Sequence, residues 1–180
     1  MYNRSLHKSS TRRIALKKRY AVAFTGPSNS GKTTVIEKIA KILIGEYRVA
    51  IIKNDPKDKA VFDIEGKDSD RFTRTGAEVV VVSPSRTTYF SQREKSLEQI
   101  VAMIDDFDYL LVEGLKTLPL PRIAIFRNRI EESYLDCSEA LAIDESIDPG
   151  QYPIPGSLTL LDLNDPKEII SWIKAHAKEI

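Results

Sequence analysis

Short continuous apolar runs alternate with stretches in which apolar residues recur every three or four positions, and this alternation fills most of the chain from Tyr20 onward. Ala21-Val22-Ala23-Phe24-Thr25 reads as a strand buried on both faces, and it passes straight into Gly26. From Lys32 the period changes: Ile36, Ile39, Ala40 and Leu43 share one helical face, and Gly45 supplies a stop. Residues 48–53 form a second buried strand and complete a βαβ unit, which implies a right-handed crossover in a parallel sheet. Residues 54–68 are polar, broken by Pro56 and Gly66, and too long for an ordinary connection, so they are the first candidate for a functional, mobile loop. A short helix is expected at 69–75, a buried strand at 78–83 and an edge strand at 87–90. Leu97, Ile100, Val101 and Ile104 mark an amphipathic helix, followed by strands at 109–112, 122–127, 140–143 and 158–163. The last helix opens with Asp165 as N-cap, Pro166 at N1 and Glu168 at N3, and carries Ile169, Ile170, Ile173 and Ala177. Strands alternating with helices predict one three-layer α/β domain with a mostly parallel central sheet.

Charge divides the chain unevenly. The 180 residues include 27 basic and 26 acidic side chains, yet residues 1–19 hold seven of the basic ones and no acid. The expectation is a basic, disordered leader over 1–19 and a folded domain over 20–180, where 26 acids outnumber 20 bases. A nucleic-acid partner would rest on that leader alone and is not expected. Cys137 is the single cysteine, and His7 and His176 offer no zinc spacing, so neither a disulfide nor a structural metal is expected. A chain of this length buries roughly 70% of its unfolded surface and needs neither. No apolar stretch approaches a membrane span, and the protein reads as soluble and cytoplasmic, in a reducing compartment.

Gly26-Pro27-Ser28-Asn29-Ser30-Gly31-Lys32-Thr33 fits the pattern G-x-x-x-x-G-K-[ST] and lies between a buried strand and an amphipathic helix, as a phosphate-binding P-loop must. Backbone N–H groups backed by the positive end of a helix give a polyphosphate donors without competing acceptors. Lys32 is expected at the β- and γ-phosphates, the Thr33 hydroxyl on Mg²⁺, and Thr34 at the α-phosphate. The metal also needs a carboxylate in its shell. Glu113, at the end of a buried strand and followed by Gly114, is the stronger candidate; Asp55 fits a turn before Pro56 as well as it fits a metal shell.

Gly26 to Thr34, Lys53 with the polar loop, Gly66-Lys67-Asp68-Ser69, Leu111-Val112-Glu113-Gly114-Leu115-Lys116 and Pro121-Arg122-Ile123 together resemble the MobB type of P-loop protein, over about residues 20–175. That family is the GTP-binding adaptor of molybdopterin-guanine dinucleotide biosynthesis. The resemblance implies a P-loop NTPase fold, a homodimer, GTP bound with Mg²⁺ and weakly hydrolysed, and the molybdopterin guanylyltransferase as partner, with molybdopterin itself a further candidate ligand. It implies that Lys67, Asp68 and Ser69 belong to a nucleotide-responsive loop, that Glu113 joins Lys32 in hydrolysis through the metal and water shell, and that Asp144 lies on the guanine. A carboxylate accepts from both the N1–H and the amine of guanine, which adenine cannot supply. The chain lacks an Asn-Lys-x-Asp tetrad, so guanine rests mainly on the resemblance. The family's histidine-rich stretch after the second strand is replaced by Lys53-Asn54-Asp55-Pro56-Lys57-Asp58. Arg71, Arg74, Arg122 and Arg127 are available for phosphates. The competing readings are a P-loop small-molecule kinase, which needs an arginine lid, and a protein that stores nucleotide as a structural cofactor.

Overall fold

The computed structural model describes residues 18–104 and 106–180. Residues 1–17 of the expected leader, and the residue at position 105, lie outside the described residues. Lys18 and Arg19 belong to the folded part: Lys18 pairs with Glu179 at 3.0 Å, and the Arg19 carbonyl accepts from the Ile180 N–H at 2.9 Å.

Six parallel strands form the body of the central sheet in the spatial order β2 (Val49–Lys53), β5 (Tyr109–Glu113), β1 (Tyr20–Thr25), β6 (Arg122–Phe126), β7 (Ala140–Ile143) and β8 (Thr159–Asp162). A two-residue β9 (Lys178–Glu179) runs antiparallel to the first half of β1, beside Tyr20 and Ala21, and β6 takes over at Ala23. β9 was not expected, because two charged residues carry no strand pattern; only the return of the chain brings them to that edge.

The three layers follow from the period of two along each strand. On one face Val22, Phe24, Leu111, Ile123 and Ile125 pack with α1 (Lys32–Leu43) through Val35, Ile36, Ile39 and Leu43, and with α4 (Pro166–His176) through Ile169, Trp172 and Ile173. On the other, Ala21, Ala23, Leu110 and Val112 meet Phe107, Leu120 and the half-buried Leu97 and Val101 of α3 (Leu97–Ile104). Each fully buried Val, Leu, Ile or Phe side chain among these contributes roughly 1.5–3 kcal/mol, and each Ala less. The α/β fold with a mostly parallel sheet is therefore as expected.

A second element departs from expectation. The valine run expected as a further buried strand is β3 (Val79–Val82), and it pairs only with β4 (Thr87–Phe90), in an antiparallel two-stranded sheet apart from the main one. Val80 is 55% and Val82 74% exposed. A continuous apolar run specifies a strand but not its partner, and here the turn decides: the Arg86 N–H donates to the Ser83 hydroxyl and the Ser83 N–H to the Arg86 carbonyl, folding β4 back on β3 before a crossover can form. Between β2 and β3 lies α2 (Asp68–Thr73), preceded by the polar loop.

The N-cap of α4 is formed as its sequence requires. The Asp165 carboxylate accepts from the Lys167 N–H at 2.8 Å and the Glu168 N–H at 3.3 Å, while Glu168 reaches back past the cap to the Asp162 N–H at the end of β8. Asp165→Ala is expected to lower unfolding free energy by about 1 kcal/mol, read as a lower urea midpoint at unchanged slope.

Candidate functional site

β1 is buried along nearly its whole length, and at its end the chain must turn sharply under β6. Gly26 adopts φ 138°, and a Cβ there would stand 2.3 Å from the Ile125 carbonyl oxygen. Only glycine makes this turn. The loop then wraps to Gly31, which caps α1 in the left-handed region at φ 96° with no side-chain hydrogen bond, and no acid occupies the first turn of the helix. The first N–H groups of α1 thus face outward with no side chain to satisfy them and no negative charge to repel an anion. Lys32 folds back over the loop and donates to the Pro27 carbonyl at 2.5 Å. Burial draws its pKa below the ordinary lysine value; Glu113 acts to raise it and Lys53 to lower it further. The buried Ser30 hydroxyl has no hydrogen-bond partner among the described residues.

A cavity of about 820 Å³ opens above this loop, at the C-terminal ends of β1, β2 and β5. Gly26, Ser28, Asn29, Gly31, Lys32, Thr33 and Thr34 line it, together with Glu113. Pro27 and Ser30 belong to the same loop but not to the lining. The strand register brings Glu113 in: Glu113 lies beside Phe24 on one side and Lys53 on the other, two residues short of the loop's first glycine. Its side chain is 13% exposed, and its carboxylate accepts from the Lys53 ammonium at 3.3 Å. Thr33 and Glu113 thus offer a hydroxyl and a carboxylate to one space, the hard oxygen donors that suit Mg²⁺ when phosphate and water complete the shell. Among the described residues no cluster of His, Cys, Asp and Glu makes a metal site by itself.

Asp144 lies elsewhere. It directly follows β7, outside the cavity lining, and its carboxylate is 3.5 Å from the Arg127 guanidinium and accepts from the Ser146 N–H and hydroxyl. Arg127 in turn lies against Gly31, where a Cβ would come within 3.1 Å of its Nε. Asp144 and the P-loop are therefore joined through Arg127. Asp55 takes the turn role: it accepts from the backbone N–H groups of Lys57, Lys59 and Ala60, and the Ala60 bond leads in holding its carboxyl below the usual range. Lys67 caps α2, and neither it nor Asp68 or Ser69 lines the cavity.

The arginines sort themselves by surroundings. Arg74 pairs with Asp70 and Glu65, and Arg71 lies 3.8 Å from Asp68. Arg122, weighed from sequence as a phosphate ligand, is 1% exposed and turned inward. Its guanidinium donates to the carbonyl oxygens of Gly114, Leu115, Lys116 and Leu118 at 3.0–3.3 Å, and burial lowers its pKa. It organises the loop after β5 from below and does not face the cavity. Sequence reasoning missed Tyr134 in the lining, where no motif marks it, and passed over Lys116 as a ligand although it stands in the quoted motif.

Comparisons with known proteins converge on one family. The family model described as molybdopterin guanine dinucleotide synthesis protein B matches residues 21–144. A molybdopterin-guanine dinucleotide biosynthesis adapter protein of Haemophilus influenzae is 33% identical over 160 residues, spanning 85% of this chain and 86% of the relative. The crystal structure of Bacillus subtilis MobB superposes with a TM-score of 0.69 at 22% identity, over 88% of this chain and 98% of that one. A further crystal structure, of a molybdopterin-guanine biosynthesis protein B, gives 0.67 at 23% identity, over 86% and 98%. At such identities the two structures speak for the fold.

The inward arginine yields a test that needs no ligand. Arg122→Met leaves four loop carbonyls without their donor and is expected to cost about 1–3 kcal/mol in urea unfolding; Arg122→Lys, lacking the planar fork, should restore less than half.

Proposed function

The chain belongs to the molybdopterin-guanine dinucleotide synthesis protein B family, and on that premise we propose that it is a GTP-binding adaptor with weak GTPase activity, which assists the guanylyltransferase that joins GMP to molybdopterin. The observation that carries this reading is the cavity in which the uncapped start of α1, Lys32 and Thr33 face Glu113. A triphosphate there gains the free N–H groups of α1 and the Lys32 ammonium. Because burial disfavours the charged lysine, meeting a polyanion raises its pKa again, so binding takes up protons at alkaline pH and affinity falls as pH rises through that range. Thr33 and Glu113 would hold Mg²⁺, which supplies neutralisation of charge on the phosphate oxygens. Lys53, 3.3 Å away, holds the Glu113 carboxylate at the cavity wall, where it can orient a water for slow hydrolysis.

Guanine recognition falls to the end of β7. Asp144 is 7% exposed at its side chain and coupled through Arg127 to Gly31, which supports a base seated beyond the P-loop on the β6 and β7 side of the sheet. The kinase alternative loses support from Arg71 and Arg74, which lie against acids of their own segment and form no lid over the cavity. No helix among the described residues is long and apolar enough to cross a membrane, which is compatible with work in the cytoplasm. The homodimer finds support in the hairpin: Val80, Val81 and Val82 are exposed on a sheet of only two strands, and natural proteins cover such edges.

Titration with a fluorescent GTP analogue tests the nucleotide site. Lys32→Ala should lose about 1.5–3 kcal/mol, or roughly ten- to a hundredfold in affinity, while Glu113→Gln should slow single-turnover hydrolysis far more than it weakens binding. Unchanged affinity in the first variant would remove the site from consideration. Light scattering tests the dimer: the parent should show about twice the 20.3 kDa chain mass, and Val80→Lys with Val82→Lys should return it to a single chain.

A further inference from the structure

Three lysines line the cavity, and they are unequally partnered. Lys32 donates to Pro27 and Lys53 to Glu113. Lys116 has no hydrogen-bond or carboxylate partner among the described residues; its ammonium lies 3.5 Å from the centroid of the Tyr134 ring, and Tyr134 lines the same cavity. A solvent-exposed cation on a ring face is held more weakly than one bonded to a phosphate oxygen. Lys116 is thus parked, with a stronger partner of the right charge expected in the space beside it.

Its backbone is fixed and its side chain has room. Arg122 grips the carbonyls of Gly114, Leu115 and Lys116 from below, so the loop after β5 keeps its place while the lysine turns. On its other side Lys116 borders a second cavity of about 570 Å³, shared with Arg122, Cys137 and His176, which leaves it unconfined. Position sets what it would meet. Lys116 follows Glu113 by three residues, and Glu113 lies in register beside Phe24, just before the P-loop. With the base on the β6 and β7 side, as the reading above has it, a triphosphate laid along the P-loop would direct its terminal phosphate toward β5, on the opposite side of β1, and so toward the loop that carries Lys116.

We propose that Lys116 reads the terminal phosphate: it rests on Tyr134 when that phosphate is absent and leaves the ring to bond to it when a nucleoside triphosphate enters. The inference rests on the nucleotide-binding reading above and adds to it a specificity-determining residue. A diphosphate leaves the lysine on the ring, so the surface of the loop after β5 differs between the two nucleotide states, and a partner protein that meets this surface can distinguish them.

Calorimetry with GDP and with a non-hydrolysable GTP analogue, both with Mg²⁺, tests this. Lys116→Ala should weaken triphosphate binding about tenfold more than GDP binding, and Lys116→Arg should restore most of the difference. Tyr134→Leu, which removes the resting place, should strengthen the triphosphate relative to GDP by about two- to fivefold. In NMR spectra the Tyr134 ring signals should shift with the triphosphate and not with GDP. Equal losses for both nucleotides in Lys116→Ala, no loss for either, or ring signals that respond equally to both would overturn the proposal while nucleotide binding stands. A parent protein that binds neither nucleotide defeats the nucleotide-binding reading and this inference with it.

Discussion

No atom beyond a hydrogen fits on the Cα of Gly26, because the Ile125 carbonyl oxygen occupies the place where a Cβ would stand. The site depends on that close approach. β1 is enclosed by β5 on one side and by β6 and β9 on the other, and its end can reach the start of α1 only by turning hard against its neighbour. Once the turn is made, Val35, Ile36 and Ile39 bind α1 to the face of the sheet that carries Val22 and Phe24. The buried apolar contacts thereby hold the helix N-terminus, with its free N–H groups, at the edge of the sheet where β2 and β5 also end. Hydrophobic packing creates the electrostatic feature.

Burial also decides which charges serve the site and which serve the frame. Arg122 and Arg127 stand at the two ends of one strand, and from sequence they are equivalent. At position 122 the side chain points into the domain and must satisfy its donors there, which it does with loop carbonyls. At position 127 it emerges at the end of β6, between Gly31 and Asp144. Lys53 and Glu113 are neighbours only because β2 and β5 pair in register, and their ion pair fixes a carboxylate beside the P-loop. The cavity contains few charges, Lys32 on α1, Lys53 on β2, Glu113 on β5 and Lys116 on the loop that follows it.

The hairpin of β3 and β4 adds to the domain without sharing its main sheet. Its exposed valines bring no residue to the P-loop cavity, and the cavity brings none to the hairpin. The exposed valines and the P-loop cavity are therefore separate surfaces, linked in the chain by α2 and the polar loop before it.

Sequence alone determined whatever depends on local spacing. The eight residues from Gly26 to Thr33 announce a phosphate loop because the turn, the donors and the lysine are consecutive, and the cap at Asp165 is legible because it too closes within a few residues. Glu113 was legible for a related reason, an acid at the end of an apolar run before a glycine. The tertiary structure alone decided what depends on residues distant along the chain. Whether the valines at 79–82 join the main sheet depends on which strand reaches them first, and a two-residue β9 exists only because the chain returns to β1. Whether Arg122 faces phosphate or protein turns on strand orientation, and Tyr134 meets Lys116 across 18 positions of sequence. No periodicity records such meetings, since they arise when packing closes the layers and brings side chains from separate strands and loops into one space.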